Sequence, residues 1–94
     1  MAEEKRQHRR KLISRLVGVD RGDGEINFGM TGNISKGGML MKSPYPVETR
    51  HQFTFFLGMG DDVVSVAGKA VGCKRINGQY NVHVAFNSDF PEEL

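Results

Sequence analysis

Apolar and polar residues alternate over long stretches of this chain, with the period of two that is typical of β-strands. In residues 26–31, Ile26, Phe28 and Met30 alternate with polar or small residues. We therefore expect these three side chains to face a core and their neighbours to face water. The same reasoning predicts six strands, at residues 12–19, 26–31, from 39 onward, 52–57, 63–75 and 80–86.

Turn residues separate the predicted strands. Glycine and aspartate cluster at residues 20–24, and two prolines interrupt residues 43–46. Asn77-Gly78 is the strongest hairpin signal, because a type I′ turn needs a positive φ at both central residues. Gly68 and Gly72 fall within the long fifth strand, where glycine often marks a bulge or bend. These signals predict an all-β fold, and closing six antiparallel strands into a barrel would remove exposed edges.

A chain of 94 residues is long enough for one domain with a modest core. Its 38% hydrophobic and 26% charged residues are typical of a globular domain. No apolar run approaches the roughly 18 residues that a membrane-spanning helix needs, and the first residues lack the apolar segment of a secretory signal. Because Cys73 is the only cysteine, we expect a reducing, cytoplasmic setting.

The predicted organisation has three parts. Residues 1–11 form a polar, basic arm with no apolar face for docking, which we expect to be flexible. Residues 12–88 form the barrel. Residues 89–94 form a short tail or a helix stub, because Ser88 or Asp89 suits a helix cap and Pro91 suits a first turn.

Positive charge is concentrated in the arm. Five of the thirteen lysines and arginines lie between Lys5 and Lys11, although the net charge of the whole chain is only +2. Such a run attracts phosphates and polyanions, nucleic acids included, and it is equally compatible with a solvated leader.

Residues that could carry catalysis or bind a metal are scattered. His8, His51 and His83 are isolated in the sequence, and no histidine or acid is placed to activate Cys73. Neither a metal site nor a nucleophile is therefore indicated. The glycine-rich stretches are not followed by a helix that would receive a phosphate. We expect a protein that is not an enzyme and has no cofactor or metal.

Two short stretches carry the remaining candidate chemistry. Arg6 and Arg10 stand four residues apart in the arm, and arginine can bind a phosphate or the edge of a guanine with two bonds. Asn33 and Ser35 offer hydrogen-bonding groups in a turn that ends at Gly38, where a ligand can approach the backbone closely. Taken separately, the two stretches are also compatible with an ordinary solvated arm and an ordinary turn.

Together, Arg6-x-x-x-Arg10 and Asn33-x-Ser35-x-x-Gly38 resemble the motif pair of the PilZ domain family, and the resemblance covers nearly the whole chain. It implies a six-stranded antiparallel barrel that binds the bacterial second messenger cyclic di-GMP. Carried over to this sequence, Arg6 and Arg10 clamp the ligand. Asn33 bonds a guanine edge, Ser35 bonds the ligand's polar atoms, and Gly38 keeps the shape of the turn.

The resemblance also implies possible additional contacts at Lys5, Arg9 and Gly37. A cation at Lys5, directly before the first motif arginine, favours an intercalated pair of ligands. Asn33 replaces the commoner aspartate, and the helix that commonly follows the sixth strand is absent or reduced to a stub. An output surface that is usual in the family is thus expected to be missing.

The function that the resemblance implies is that of a receptor or adaptor, whose arm folds over the barrel when cyclic di-GMP binds and which then signals to a protein partner. Two alternatives remain open. One is a small β-barrel that binds nucleic acid through the same arm, although the near-neutral body argues against it. The other is a PilZ-like interaction domain without ligand binding, although the intact motif pair argues against that. We expect no association with a membrane.

Overall fold

The computed structural model describes residues 14–91 as a barrel of six antiparallel strands. The strands are β1 (Arg15–Asp20), β2 (Ile26–Ile34), β3 (Gly38–Ser43), β4 (Gln52–Met59), β5 (Asp62–Ile76) and β6 (Gln79–Phe86). They close in the order β1-β2-β3-β6-β5-β4. The predicted all-β barrel is confirmed. The predicted arm at residues 1–11 lies outside the described residues, as do Leu12 and Ile13.

Every strand contributes inward-facing side chains to one core. The largest fully buried apolar residues are Phe55, Phe90, Ile34, Met41, Leu57, Val17 and Val82. Side chains fill the interior of so small a barrel, so a ligand has to bind at its surface.

The hairpin between β5 and β6 has the predicted geometry. Asn77 and Gly78 have φ values of 53° and 80°, as a type I′ turn requires. The pairing of β5 with β6 shifts register between Ala70 and Gly72, which confirms the bulge that Gly72 indicated.

The prediction for the buried face of β2 is wrong. Ile26, Phe28 and Met30 are 45%, 55% and 42% exposed, whereas Gly29 and Thr31 are buried. Paired residues share a face of a sheet, and Gly29 pairs with Val17 while Thr31 pairs with Met41. Since Val17 and Met41 are fully buried, the register directs the small and polar residues of β2 inward. The apolar residues of β2 therefore lie on the outer surface of the barrel.

The end of β2 also differs from the prediction. β2 continues through Asn33 to Ile34, so the connection to β3 is only Ser35 to Gly37. The described residues after β6 run to Pro91 without a helix, and residues 92–94 lie outside the described part of the chain, so the short tail or helix stub at residues 89–94 stays a prediction. Phe90 enters the core, with 1% of its surface exposed. Within residues 14–91, no helix is long and apolar enough to cross a membrane.

Candidate functional site

A β-bulge near the end of β2 turns Asn33 to the outer surface. Thr31 pairs with Met41 and Asn33 pairs with Leu40, so Gly32 is an extra residue in the ladder. The buried Thr31 hydroxyl shares its single proton between the carbonyl oxygens of Asn33 at 2.9 Å and of Leu40 at 3.1 Å, which ties both sides of the bulge together. Without the extra residue, Asn33 would take the inward position that Ile34 occupies.

The connection that follows is closed by its own hydrogen bonds. The N–H of Ser35 donates to the carbonyl oxygen of Gly38 at 2.8 Å, and the Ser35 hydroxyl lies 3.3 Å from the same oxygen. The hydroxyl bond is long, and a hydroxyl can rotate and also accept two hydrogen bonds. Ser35 therefore retains the capacity to bind a polar ligand atom while its backbone holds the turn.

The end of β6 and the chain that follows it support the turn through two further hydrogen bonds. The N–H of Phe86 donates to the carbonyl oxygen of Gly37 at 2.9 Å, and the N–H of Phe90 donates to that of Lys36 at 2.8 Å. The rings of Phe86 and Phe90 pack with their centroids 5.7 Å apart. Two consecutive turn carbonyls are thus satisfied by protein donors, and a buried aromatic side chain anchors the segment that supplies one of them.

Gly38 begins β3 where that strand passes very close to β6. A Cβ atom at this position would collide with the carbonyl oxygen of Val84. Gly38 is consequently needed by the packing of the barrel, whatever its contribution to a ligand.

A second bulge lies across the barrel surface from the first. Ala70 pairs with Val84 and Gly72 pairs with His83, which makes Val71 the extra residue of β5. Val71 is 63% exposed. His83 pairs in turn with Leu40 on its other side, so the outer surface runs continuously from Asn33 through Leu40 and His83 to the second bulge.

A surface cavity of about 250 Å³ opens between the turn and the second bulge. Its lining includes Ser35, Gly37, Gly38, Leu40, Val71 and His83. Among the described residues that line it, none is an aspartate or glutamate. The described lining of the cavity therefore combines apolar side chains, a hydroxyl and an imidazole, without a carboxylate that would repel an anion.

The structure brings some of the predicted site residues to this cavity. Ser35, Gly37 and Gly38 line it directly, whereas Asn33 does not line it but pairs with Leu40, which does. The four cationic candidates, Lys5, Arg6, Arg9 and Arg10, lie outside the described residues. Within the described part of the chain, no three His, Cys, Asp or Glu side chains are grouped so as to hold a metal ion.

Two residues that line the cavity, His83 and Val71, are not among the candidates that the sequence indicated. His83 is isolated in the sequence, and the structure places it in the wall of the cavity together with Ser35. The alternation in β6 indicates that His83 faces outward. Its closeness to Ser35 cannot be predicted from that pattern, because it depends on the order of strands in the barrel. Apart from the neighbouring glycine, no pattern in the sequence indicates the extra residue at Val71.

Comparisons with known proteins identify the fold independently. The model of the PilZ domain family matches residues 4–94. The structure of the Bacillus subtilis inhibitor of motility MotI/DgrA aligns with a TM-score of 0.74 at 9% identity, covering 93% of this chain and 44% of that one. The PilZ domain with c-di-GMP of YcgR from Escherichia coli aligns with a TM-score of 0.68 at 13% identity, covering 89% of this chain and 79% of that one. No match was found among curated proteins.

Proposed function

This chain belongs to the PilZ domain family, and we propose that it is a receptor module for cyclic di-GMP. The observation that carries the proposal is the cavity beside the Asn33–Gly38 turn, which has no carboxylate in its described lining and is bordered by the Ser35 hydroxyl. A similar barrel, the PilZ domain of Escherichia coli YcgR, is known with c-di-GMP. The proposed activity is binding, not catalysis.

The size of the cavity suggests that the barrel and the arm each bind a different part of the ligand. Ligand pockets typically enclose about 300–1,000 Å³, and this cavity of about 250 Å³ accommodates only part of a cyclic dinucleotide. The remainder of the ligand, with its two negative charges, needs a second element of positive charge. Arg6 and Arg10 are the proposed source, with Lys5 and Arg9 as further candidates.

In the proposed mechanism, the arm folds over the barrel when the ligand binds. Ordering a segment on binding costs about 2–5 kcal/mol, and charge-assisted bonds from arginine to phosphate, together with stacking of guanidinium on guanine, offset that cost. Asn33 and Ser35 bond the ligand from the barrel side. The ordered arm and ligand then present a new surface to a protein partner.

Isothermal titration calorimetry of the full chain with cyclic di-GMP tests the proposal, with GTP and a short oligonucleotide as control ligands. Arg6→Ala and Arg10→Ala are each expected to weaken binding at least about tenfold, because a charged hydrogen bond contributes about 1.5–3 kcal/mol. Arg75→Ala is the matched control: it removes the same charge from the hairpin end of β5 and is expected to change nothing.

Two results would contradict the proposal. One is wild-type protein that binds no cyclic di-GMP. The other is tight, steeply salt-dependent binding of the oligonucleotide in preference to cyclic di-GMP, which would identify a nucleic-acid-binding barrel instead.

A further inference from the structure

The outer side of β2 is more apolar than its inner side. Ile26, Phe28 and Met30 point outward and are about half exposed, while Gly29 and Thr31 occupy the core positions. A strand with one face in water normally carries its polar residues on that face. The inverted pattern of β2 makes its outer side a candidate contact surface.

Neighbouring strands extend this apolar surface. Leu16 of β1 pairs with Met30, and Gly18 pairs with Phe28 on one side and with Phe56 of β4 on the other. Val63 of β5 lies beside Gly58 of β4 and is 70% exposed. We call this surface the outer apolar face, and it consists of Leu16, Ile26, Phe28, Met30, Phe56 and Val63.

The outer apolar face has a ridge between two hollows. Leu16 and Phe28 line both hollows, one of about 180 Å³ over Gly18 and Gly58 and the other of about 300 Å³ beside Met30 and Pro44. A ridge flanked by a hollow is self-complementary under a two-fold rotation, because the ridge of each copy can enter a hollow of the other.

Among the described residues, an acidic and a basic side chain pair with the two ends of the apolar stretch of β2, and the basic one, Lys42, also lines the larger hollow. None of the residues that line the smaller hollow is charged. Asp20 pairs with Ile26 at one end of β2, and Lys42 pairs with Met30 at the other. An antiparallel arrangement of two copies brings the acidic end of each over the basic end of the other.

The area is sufficient for a modest interface. Five residues of this face, Leu16, Ile26, Phe28, Met30 and Val63, are 42–70% exposed, and the largest apolar patch on a typical monomer covers roughly 300–600 Å². Two copies of a patch in the upper part of that range would bury on the order of 1,000 Å² together, the lower limit for a specific contact. The basic run from Lys5 to Lys11 suits this face poorly, because covering apolar surface would strip water from its five cations.

We propose that the outer apolar face is the interface of a two-fold symmetric dimer of this chain. The ridge formed by Leu16 and Phe28 packs against the hollow over Gly18 and Gly58 of the other copy. The interface uses β2, β1, β4 and β5, whereas the cavity lies on β3, β5 and β6, so a dimer of this kind leaves both cavities open to ligand.

Sedimentation velocity of the full chain, from low micromolar to several hundred micromolar protein, tests the proposal. Wild type is expected to shift from monomer to dimer over this range. Phe28→Asp and Val63→Asp are expected to raise the dissociation constant of the dimer at least about tenfold, because each places a charge in the smaller hollow, whose described lining is uncharged. Val71→Asp is the matched control for dimerisation, since Val71 is also an exposed valine of β5, 63% exposed, but lines the ligand cavity that the proposed dimer leaves open.

Circular dichroism and thermal melting of each variant separate dimer loss from unfolding. The ring of Phe28 packs over Gly18 of β1. Its replacement can therefore also affect the packing of β2 on β1. Val63 makes the decisive variant because it is the most exposed member of the face. A wild type that stays monomeric at every concentration overturns the proposal, and so does a dimer that Val63→Asp leaves unchanged. A monomer whose outer apolar face binds another protein counts against it as well.

Discussion

The backbone N–H of Phe90 donates a hydrogen bond of 2.8 Å to the carbonyl oxygen of Lys36, and the Phe90 residue is 1% exposed. The last described residues of the chain therefore brace the turn that borders the cavity. The tail and the candidate binding turn form one structural unit, although more than fifty residues separate them in the sequence.

Phe90→Ala is expected to lower the free energy of unfolding by about 3–5 kcal/mol, the usual cost of removing a buried phenylalanine side chain. It should also weaken cyclic di-GMP binding, because the segment that donates to Lys36 loses its anchor. Urea unfolding and calorimetry measure the two effects. Tyr45→Ala, at an aromatic residue that is 56% exposed, should change stability by no more than about 0.5 kcal/mol. A Phe90→Ala protein with wild-type stability would contradict the burial of this ring.

Gly38→Ala is expected to destabilise the barrel by about 1–3 kcal/mol, as overpacking does. The new Cβ atom would collide with the carbonyl oxygen of Val84. Because the backbone fixes the positions of both atoms, β3 and β6 would have to move apart. Gly58→Ala is the control, since no atom lies within 4 Å of a Cβ there, and it should be neutral or stabilising by about 0.4–1 kcal/mol. Thermal melting of both variants at one low micromolar protein concentration, where the wild type is expected to be monomeric and Gly58 to lie outside any interface, makes the comparison. Equal effects would mean that the close approach of the strands is not what requires Gly38.

Because of the bulge at Gly32, replacing Ile34 should affect mainly stability, and replacing Asn33 should affect mainly ligand binding. Ile34→Ala should cost about 2–5 kcal/mol of stability, because Ile34 is 1% exposed in the core. Asn33→Ala should cost little stability and weaken ligand binding, because the bulge turns Asn33 outward. Urea unfolding and calorimetry on both variants give the answer. If Asn33→Ala were the destabilising change and Ile34→Ala the silent one, the bulge would be misplaced.

His83→Ala is expected to weaken cyclic di-GMP binding by about tenfold with little change in stability. His83 is exposed and stands in the cavity wall, and stacking of a base on a ring is worth about 1–3 kcal/mol. His51→Ala is the matched control, because His51 is exposed, lies directly before β4 and packs its ring on Phe53. Calorimetry should separate the two. Equal affinities for wild type and His83→Ala would remove His83 from the site.

Local signals in the sequence predicted most of the strands and turns. Asn77-Gly78 predicted the hairpin, because few residue pairs accept a positive φ at both positions. Gly72 predicted a bulge in β5, which the register confirms. Ser35 and Gly38 were predicted as site residues from the motif, and the structure places both at one cavity.

The prediction for the buried face of β2 was wrong because that face is set by pairing with other strands, not by the sequence of β2 alone. The alternation of Ile26, Phe28 and Met30 predicted which residues share a face of β2, but not which face is inside. That choice follows from pairing with Val17 and Met41.

The sequence by itself determined the strand periodicity, the hairpin and the family motifs, because each depends on residues close together in the chain. Only the tertiary structure decided that Val71 and His83 face Ser35 across one cavity, that Phe90 braces the turn, and that β2 presents its apolar side outward. These arrangements depend on the order and register in which distant strands pair. Register is set by burying the most apolar surface of the whole barrel at once, and no single segment carries that information.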